Sequence, residues 1–171
     1  MIFFSGFCLQ NEASLFETYL KKSDFTVAGF SLGAIDALEY VLASKHRIDR
    51  LQLFSPAFFD DKEEAFKRAQ VHYFKKNKVR YIETFLNNAS YPSQMDLSVY
   101  YHDSSLGDLE RLLHYRWKEE ALQALQKRAI MIEVYVGERD KIIDSVKTKD
   151  FFLPYAQTIM IKEAGHILQR V

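Results

Sequence analysis

The chain has 171 residues with 23 basic and 23 acidic side chains, and it carries 14 Phe, 10 Tyr and one Trp against only six Gly and three Pro. That composition excludes disorder and collagen-like repeats, and 48% apolar content is enough to bury the core of one ordinary domain, residues 1–171, without disulfides or a structural metal. The balanced charge argues against a nucleic-acid binder but still allows a local patch of one sign. Cys8 is the single cysteine, so no internal disulfide forms and a reducing compartment is expected. Met1 to Leu9 is apolar, yet too short for a bilayer and without the basic region and cleavage site of a signal peptide. The expectation is a cytoplasmic protein without membrane contact.

Ile2 to Phe4 reads as a short buried strand stopped by Ser5-Gly6. Asn11 to Lys22 has helical spacing in Ala13, Leu15, Phe16, Tyr19 and Leu20, with Asn11 as its cap. Phe25 to Phe30 is again a buried strand, followed at once by a helix over Leu32 to Ser44 and by a strand over Arg50 to Phe54. From Asp60 to Arg128 the pattern is helical, and Gly107 to Arg128 places Leu109, Leu112, Leu113, Trp117, Leu122 and Leu125 along one face. Ala129 to Val136 is the strongest strand, Asp144 to Leu153 reads as a helix, and Thr158 to Ile161 as the last strand. Strands alternating with helices imply an α/β fold of about five parallel strands, interrupted by a helical insertion over 57–128.

Gly29-Phe30-Ser31-Leu32-Gly33 is G-x-S-x-G between a strand and a helix, the context that makes it a nucleophile elbow. A serine hydroxyl is a weak nucleophile near neutral pH, so the elbow requires a later acid and then a histidine. Asp140 follows the 129–136 strand and His166 follows the last one, both at the edge where sites of open parallel sheets assemble. Asp144 is the competing acid, placed where it would begin a helix. His46, His72, His102 and His114 fit the role less well. An oxyanion hole would take the backbone N–H of Leu32 and, from the Ser5-Gly6-Phe7-Cys8 loop, that of Phe7. Cys8 itself reads as a small buried hydrophobe. No metal spacing and no phosphate-cradling glycine loop is present, so no cofactor or metal is expected.

Ala65 to Arg80 holds Lys67, Arg68, Lys75, Lys76, Lys78 and Arg80 and no acidic residue. It is either a solvated helix face or a docking surface for an acidic partner. Five of the six glycines, Gly6, Gly29, Gly33, Gly137 and Gly165, fall at these site loops, which suggests backbone freedom kept for the site.

The elbow, Asp140, His166 and Ser5-Gly6-Phe7 resemble the α/β-hydrolase family, reduced by the strands normally found before the elbow, with the insertion as its lid. Ser5 stands where the family usually has a histidine. Within that family the short sheet, the Arg139-Asp140-Lys141-Ile142 segment and the basic lid look most like the short pimeloyl-acyl-carrier-protein methyl ester esterases of biotin synthesis. That resemblance implies removal of a methyl ester from an acyl chain borne by acyl carrier protein, which would dock on the Lys67–Arg80 surface. Hydrolysis of another small ester or thioester, or a catalytically silent binding protein, are the alternatives.

Overall fold

The computed structural model describes residues 1–171. Strands β1 (Ile2–Phe4), β2 (Thr26–Phe30), β3 (Arg50–Phe54), β4 (Met131–Gly137) and β5 (Gln157–Ile161) form one parallel sheet, as the alternation of strands and helices predicts, and their spatial order equals their chain order. Phe30 pairs with Phe54 and Phe54 with Tyr135, so the strands end level and their following loops share one edge. Helix α1 (Leu32–Ala43) packs on β1, β2 and β3 through Ala34, Ile35, Ala37, Leu38 and Val41. Helix α6 (Ser145–Phe152) packs on β4 and β5.

One sheet face carries Phe30, Phe54 and Tyr135, and Phe16 stacks on Phe54 and packs at a tilt against Phe30. On the same face Gln52 donates to Glu133 at 2.7 Å and accepts the Lys21 N–H, which ties the chain before β2 to the sheet. This tether accounts for one difference from the predicted elements. Instead of a helix over Asn11 to Lys22 there is a single 3-10 turn, Glu12–Phe16, and Asn11 makes no capping bond because its φ of 63° is left-handed. The chain then leaves the helical path to reach Gln52.

Helices α2 (Glu64–Lys76), α3 (Lys78–Ser90) and α4 (Leu106–His114) lie over the carboxyl edge of the sheet, where Phe74 and Phe85 meet the Phe7 ring. The single helix expected over Gly107 to Arg128 is broken after His114. Trp117 is the cause: its backbone N–H donates to Asp60 and its indole N–H to the Ala57 carbonyl, which pulls the chain out of the helix. The continuation, α5 (Glu119–Lys127), packs on α1 and β4, so the covering layer ends before the expected 57–128 insertion does. No helix is long and apolar enough to cross a membrane.

The glycines serve close approach rather than left-handed backbone, since none has a positive φ. A Cβ on Gly33 would stand 2.1 Å from the Phe4 carbonyl oxygen, a backbone atom that cannot move aside, whereas one on Gly107 meets only Ser105 Oγ at 3.5 Å. Gly33→Ala should therefore destabilise by about 3 kcal/mol or more, and Gly107→Ala should stabilise by roughly 0.5 kcal/mol through helix propensity. Denaturant titration of the two variants measures both signs.

Candidate active site

The turn after β2 determines where the candidate nucleophile stands. Ser31 has φ 53° and ψ −113°, a strained conformation for a residue with a Cβ, and its N–H donates to Phe54 O at 2.9 Å while its carbonyl accepts from Ala34 and Ala57. Gly29 and Gly33 pack so closely across this turn that a Cβ on Gly29 would lie 2.1 Å from Gly33 O. The chain then turns directly into α1, leaving the Ser31 hydroxyl at the sheet edge.

His166 meets it there. Ser31 Oγ lies 3.0 Å from His166 Nε2, and His166 Nδ1 lies 2.7 Å from Asp140 Oδ2. A carboxylate can only accept, so Nδ1 carries the hydrogen and Nε2 is free to accept from the serine hydroxyl. The remaining Asp140 oxygen accepts the N–H groups of Ile142 and Ile143 at 2.7 and 3.1 Å, which fixes the carboxylate plane. Ser31, His166 and the Asp140 side chain are all 0% exposed. Asp144, the competing acid, is occupied as the cap of α6, where it accepts from Val146 and Lys147.

The acid and histidine loops are knitted together. Arg139 N–H donates to Ala164 O at 2.8 Å, and a Cβ on Gly137 would meet Gly165 O at 2.1 Å. From β3, Ser55 Oγ donates to the His166 carbonyl at 2.6 Å. Sequence reasoning missed Ser55; its place immediately after β3, level with the elbow, was the available signal. Four of the five strands, β2 to β5, thus contribute a loop to this edge.

Of the two expected oxyanion donors, neither the Phe7 N–H nor the Leu32 N–H has a partner within the protein, although both residues are buried. Gly6 packs against the ring of Phe30, so the loop after β1 lies beside the elbow. Cys8 is fully buried and burial pushes its thiol up to about 11, the opposite of what a nucleophilic cysteine needs. His46, His72, His102 and His114 are exposed and outside this cluster. No group of three or more His, Cys, Asp or Glu side chains could hold a metal ion.

A cavity of about 270 Å³ lies between this edge and the covering helices, with Phe7, Phe59, Phe66, Phe85 and Leu113 among its apolar walls. Gln70, Tyr81, Thr84 and Asn88 line it and also line an outer groove between α2 and α3 that carries Lys76 and Arg80. Burial pushes the Tyr81 phenol up to about 12, so its hydroxyl stays protonated at neutral pH and donates to Gln70 at 3.0 Å. Arg68, Lys75, Lys76 and Arg80 are exposed, and Lys78 is paired with Asp103. Lys67 does not belong to the expected docking surface. Its side chain is 0% exposed, with Nζ 3.7 Å from Glu64, because it points inward from the same helical face as Phe74.

No protein-family model matches the sequence, and no curated protein matches it. Solved structures do. The chain superposes on an esterase from Exiguobacterium antarcticum with a TM-score of 0.59 and 20% identity, covering 82% of this chain and 59% of that one. It superposes on MenH from S. aureus with a TM-score of 0.58 and 17% identity, covering 98% and 87%. For naproxen esterase from Bacillus subtilis the values are 0.51 and 19%, covering 91% and 57%. The chain therefore spans well under two thirds of the length of both esterases. What these similarities establish is the architecture: five parallel strands flanked by six helices, a reduced α/β-hydrolase fold.

Proposed function

We propose that the chain is a serine carboxylesterase that hydrolyses the methyl ester of pimeloyl-acyl carrier protein, giving the free carboxylate and methanol. The observation that carries the esterase reading is the continuous Ser31–His166–Asp140 relay, with spacings of 3.0 and 2.7 Å. Ser31 Oγ attacks the ester carbonyl carbon as His166 Nε2 takes its proton, and Asp140 holds the imidazole and stabilises the cation that forms. The negative charge on the former carbonyl oxygen is met by the N–H groups of Leu32 and Phe7, each worth about 3 kcal/mol to such a transition state. Collapse expels methoxide, which receives the proton from His166 and leaves as methanol. Water activated by the same imidazole then hydrolyses the acyl-enzyme and returns the proton to Ser31.

The carrier-borne substrate is supported by the junction of groove and cavity. An acidic carrier protein would meet Arg68, Lys75, Lys76 and Arg80 at the surface, and the acyl chain would pass Gln70, Tyr81, Thr84 and Asn88 into the apolar chamber. The burial of Lys67 and the pairing of Lys78 shrink this cationic surface, which favours a second reading, hydrolysis of a free small ester or thioester with the same residues.

Ser31→Ala should abolish hydrolysis of p-nitrophenyl butyrate while leaving the melting temperature near that of the parent. Asp140→Asn should lower kcat by about 10⁴-fold through the wrong imidazole tautomer, with Asp144→Asn close to the parent because asparagine also caps a helix. Reversal of these last two outcomes would exchange the acid assignment. Mass spectrometry of pimeloyl-carrier-protein methyl ester incubated with the enzyme should show loss of one methyl group. Triple charge reversal to glutamate at Lys75, Lys76 and Arg80 should reduce that turnover more than tenfold relative to p-nitrophenyl butyrate; an equal effect on both substrates supports the free-ester reading.

A further inference from the structure

We propose that Glu12 is a positioning residue for the oxyanion hole, a role that rests on the esterase reading above and extends it to a side chain that never touches substrate. Glu12 is 0% exposed, and its Oε1 accepts the Gly6 N–H at 2.7 Å. Its Oε2 has no partner. A buried carboxylate with an unpartnered oxygen lowers stability, so packing alone does not account for it.

The backbone accounting in this loop singles out one group. Between Gly6 and Gln10 every N–H but one is bonded: Gly6 to Glu12, Cys8 to Ser104 Oγ at 2.9 Å, Leu9 to Gly6 O at 3.2 Å, and Gln10 to Tyr100 O at 2.8 Å. The exception is Phe7, which is only 1% exposed. Buried amides without partners are rare in folded proteins, and this one lies in the loop beside the elbow.

Peptide planarity links that amide to Glu12. The Phe7 N–H shares a rigid plane with the Gly6 carbonyl and points away from it. Gly6 is the softest residue in the loop, free to rotate on both sides of its Cα. Two bonds remove that freedom: Leu9 N–H holds the Gly6 carbonyl and Glu12 holds the Gly6 N–H. What the position requires is an acceptor that reaches the Gly6 N–H, and the length of the Glu12 side chain supplies it. The neighbouring left-handed residues Cys8 (φ 59°) and Asn11 (φ 63°) show that the loop is bent sharply to bring Glu12 back beneath Gly6. Releasing the Glu12 bond leaves the Phe7 N–H free to swing with Gly6, and misalignment of one oxyanion donor acts on the transition state rather than on substrate binding.

Two substitutions separate reach from charge. Glu12→Asp keeps the charge and withdraws the oxygens by about 1.5 Å; Glu12→Gln loses the charge but keeps an acceptor at full reach. With p-nitrophenyl butyrate, Glu12→Asp should lower kcat roughly 10- to 100-fold with KM within about threefold, and Glu12→Gln should retain most of kcat and melt no lower than the parent. Affinity for a trifluoromethyl ketone, which forms a tetrahedral oxyanion on a serine, should fall with kcat in the Asp variant. Unchanged kcat in Glu12→Asp, equal impairment in both variants, a change confined to KM, or loss of cooperative unfolding in both would overturn the role of Glu12. An inert parent that also fails to bind the ketone would instead overturn the esterase reading on which the role depends.

Discussion

The strained backbone of Ser31 is the constraint around which the molecule is organised. A residue with a Cβ held at φ 53° and ψ −113° costs of order 1–3 kcal/mol, and it persists only where its surroundings over-determine it. Here they do so from three directions. The Ser31 N–H is held by β3, its carbonyl by Ala34 and Ala57, and the glycines on either side allow Gly33 to press against the end of β1. That same turn holds the hydroxyl against His166, starts α1 and leaves the Leu32 N–H unbonded, so candidate nucleophile, helix and one candidate oxyanion donor arise from a single local conformation.

Each of the five strands ends in a loop at the common edge. β1 supplies the loop of Phe7, β2 the elbow, β3 the Ser55 contact to His166, β4 Asp140 and β5 His166. The two longest-range pieces, Asp140 and His166, are joined by backbone contacts between their loops as well as by the side-chain bond, so the relay does not depend on a single 2.7 Å contact for its alignment.

The legible and illegible parts of this arrangement differ in range. The elbow could be read because its strain demands small residues at fixed offsets, and the acid and histidine because each closes a strongly apolar strand. The parallel sheet followed from strands alternating with helices and right-handed crossovers. Long-range bonds decided the rest. Trp117 breaks a helix because of Ala57 and Asp60, and the stretch after Phe16 unwinds toward Gln52. Glu12 falls inside the stretch whose spacing predicts a helix, and Lys67 inside the basic run. Nothing in a one-dimensional charge pattern reveals that either side chain is fully buried. The glycines were located correctly at the site but for another reason, since left-handed backbone falls on Cys8, Ser31 and Ser55, and glycine appears where two backbones touch.

Burial of the relay bears on how substrate reaches it. Arg111 of α4 bridges to Asp36 and Glu39 of α1, an obvious latch between covering layer and core, yet these side chains are one third to one half exposed and such pairs contribute about 1 kcal/mol at most. The apolar contacts are far stronger. Phe74, Phe85, Leu109, Leu112 and Leu113 are all buried, and at roughly 1.5–3 kcal/mol each their exposure would rival the stability of a whole domain. Lifting the entire layer is therefore too costly to open the site, and breaking the Arg111 bridge would not change that. Groove and cavity meet at a neck between α2 and α3 lined by Gln70, Tyr81, Thr84 and Asn88, where the Phe74 and Tyr81 rings also touch. The Phe7 loop is held on two sides, by hydrogen bonds to the Tyr100–Ser104 segment and by packing of its ring against Phe74 and Phe85, so its shape is tied to the covering helices as well as to the sheet edge.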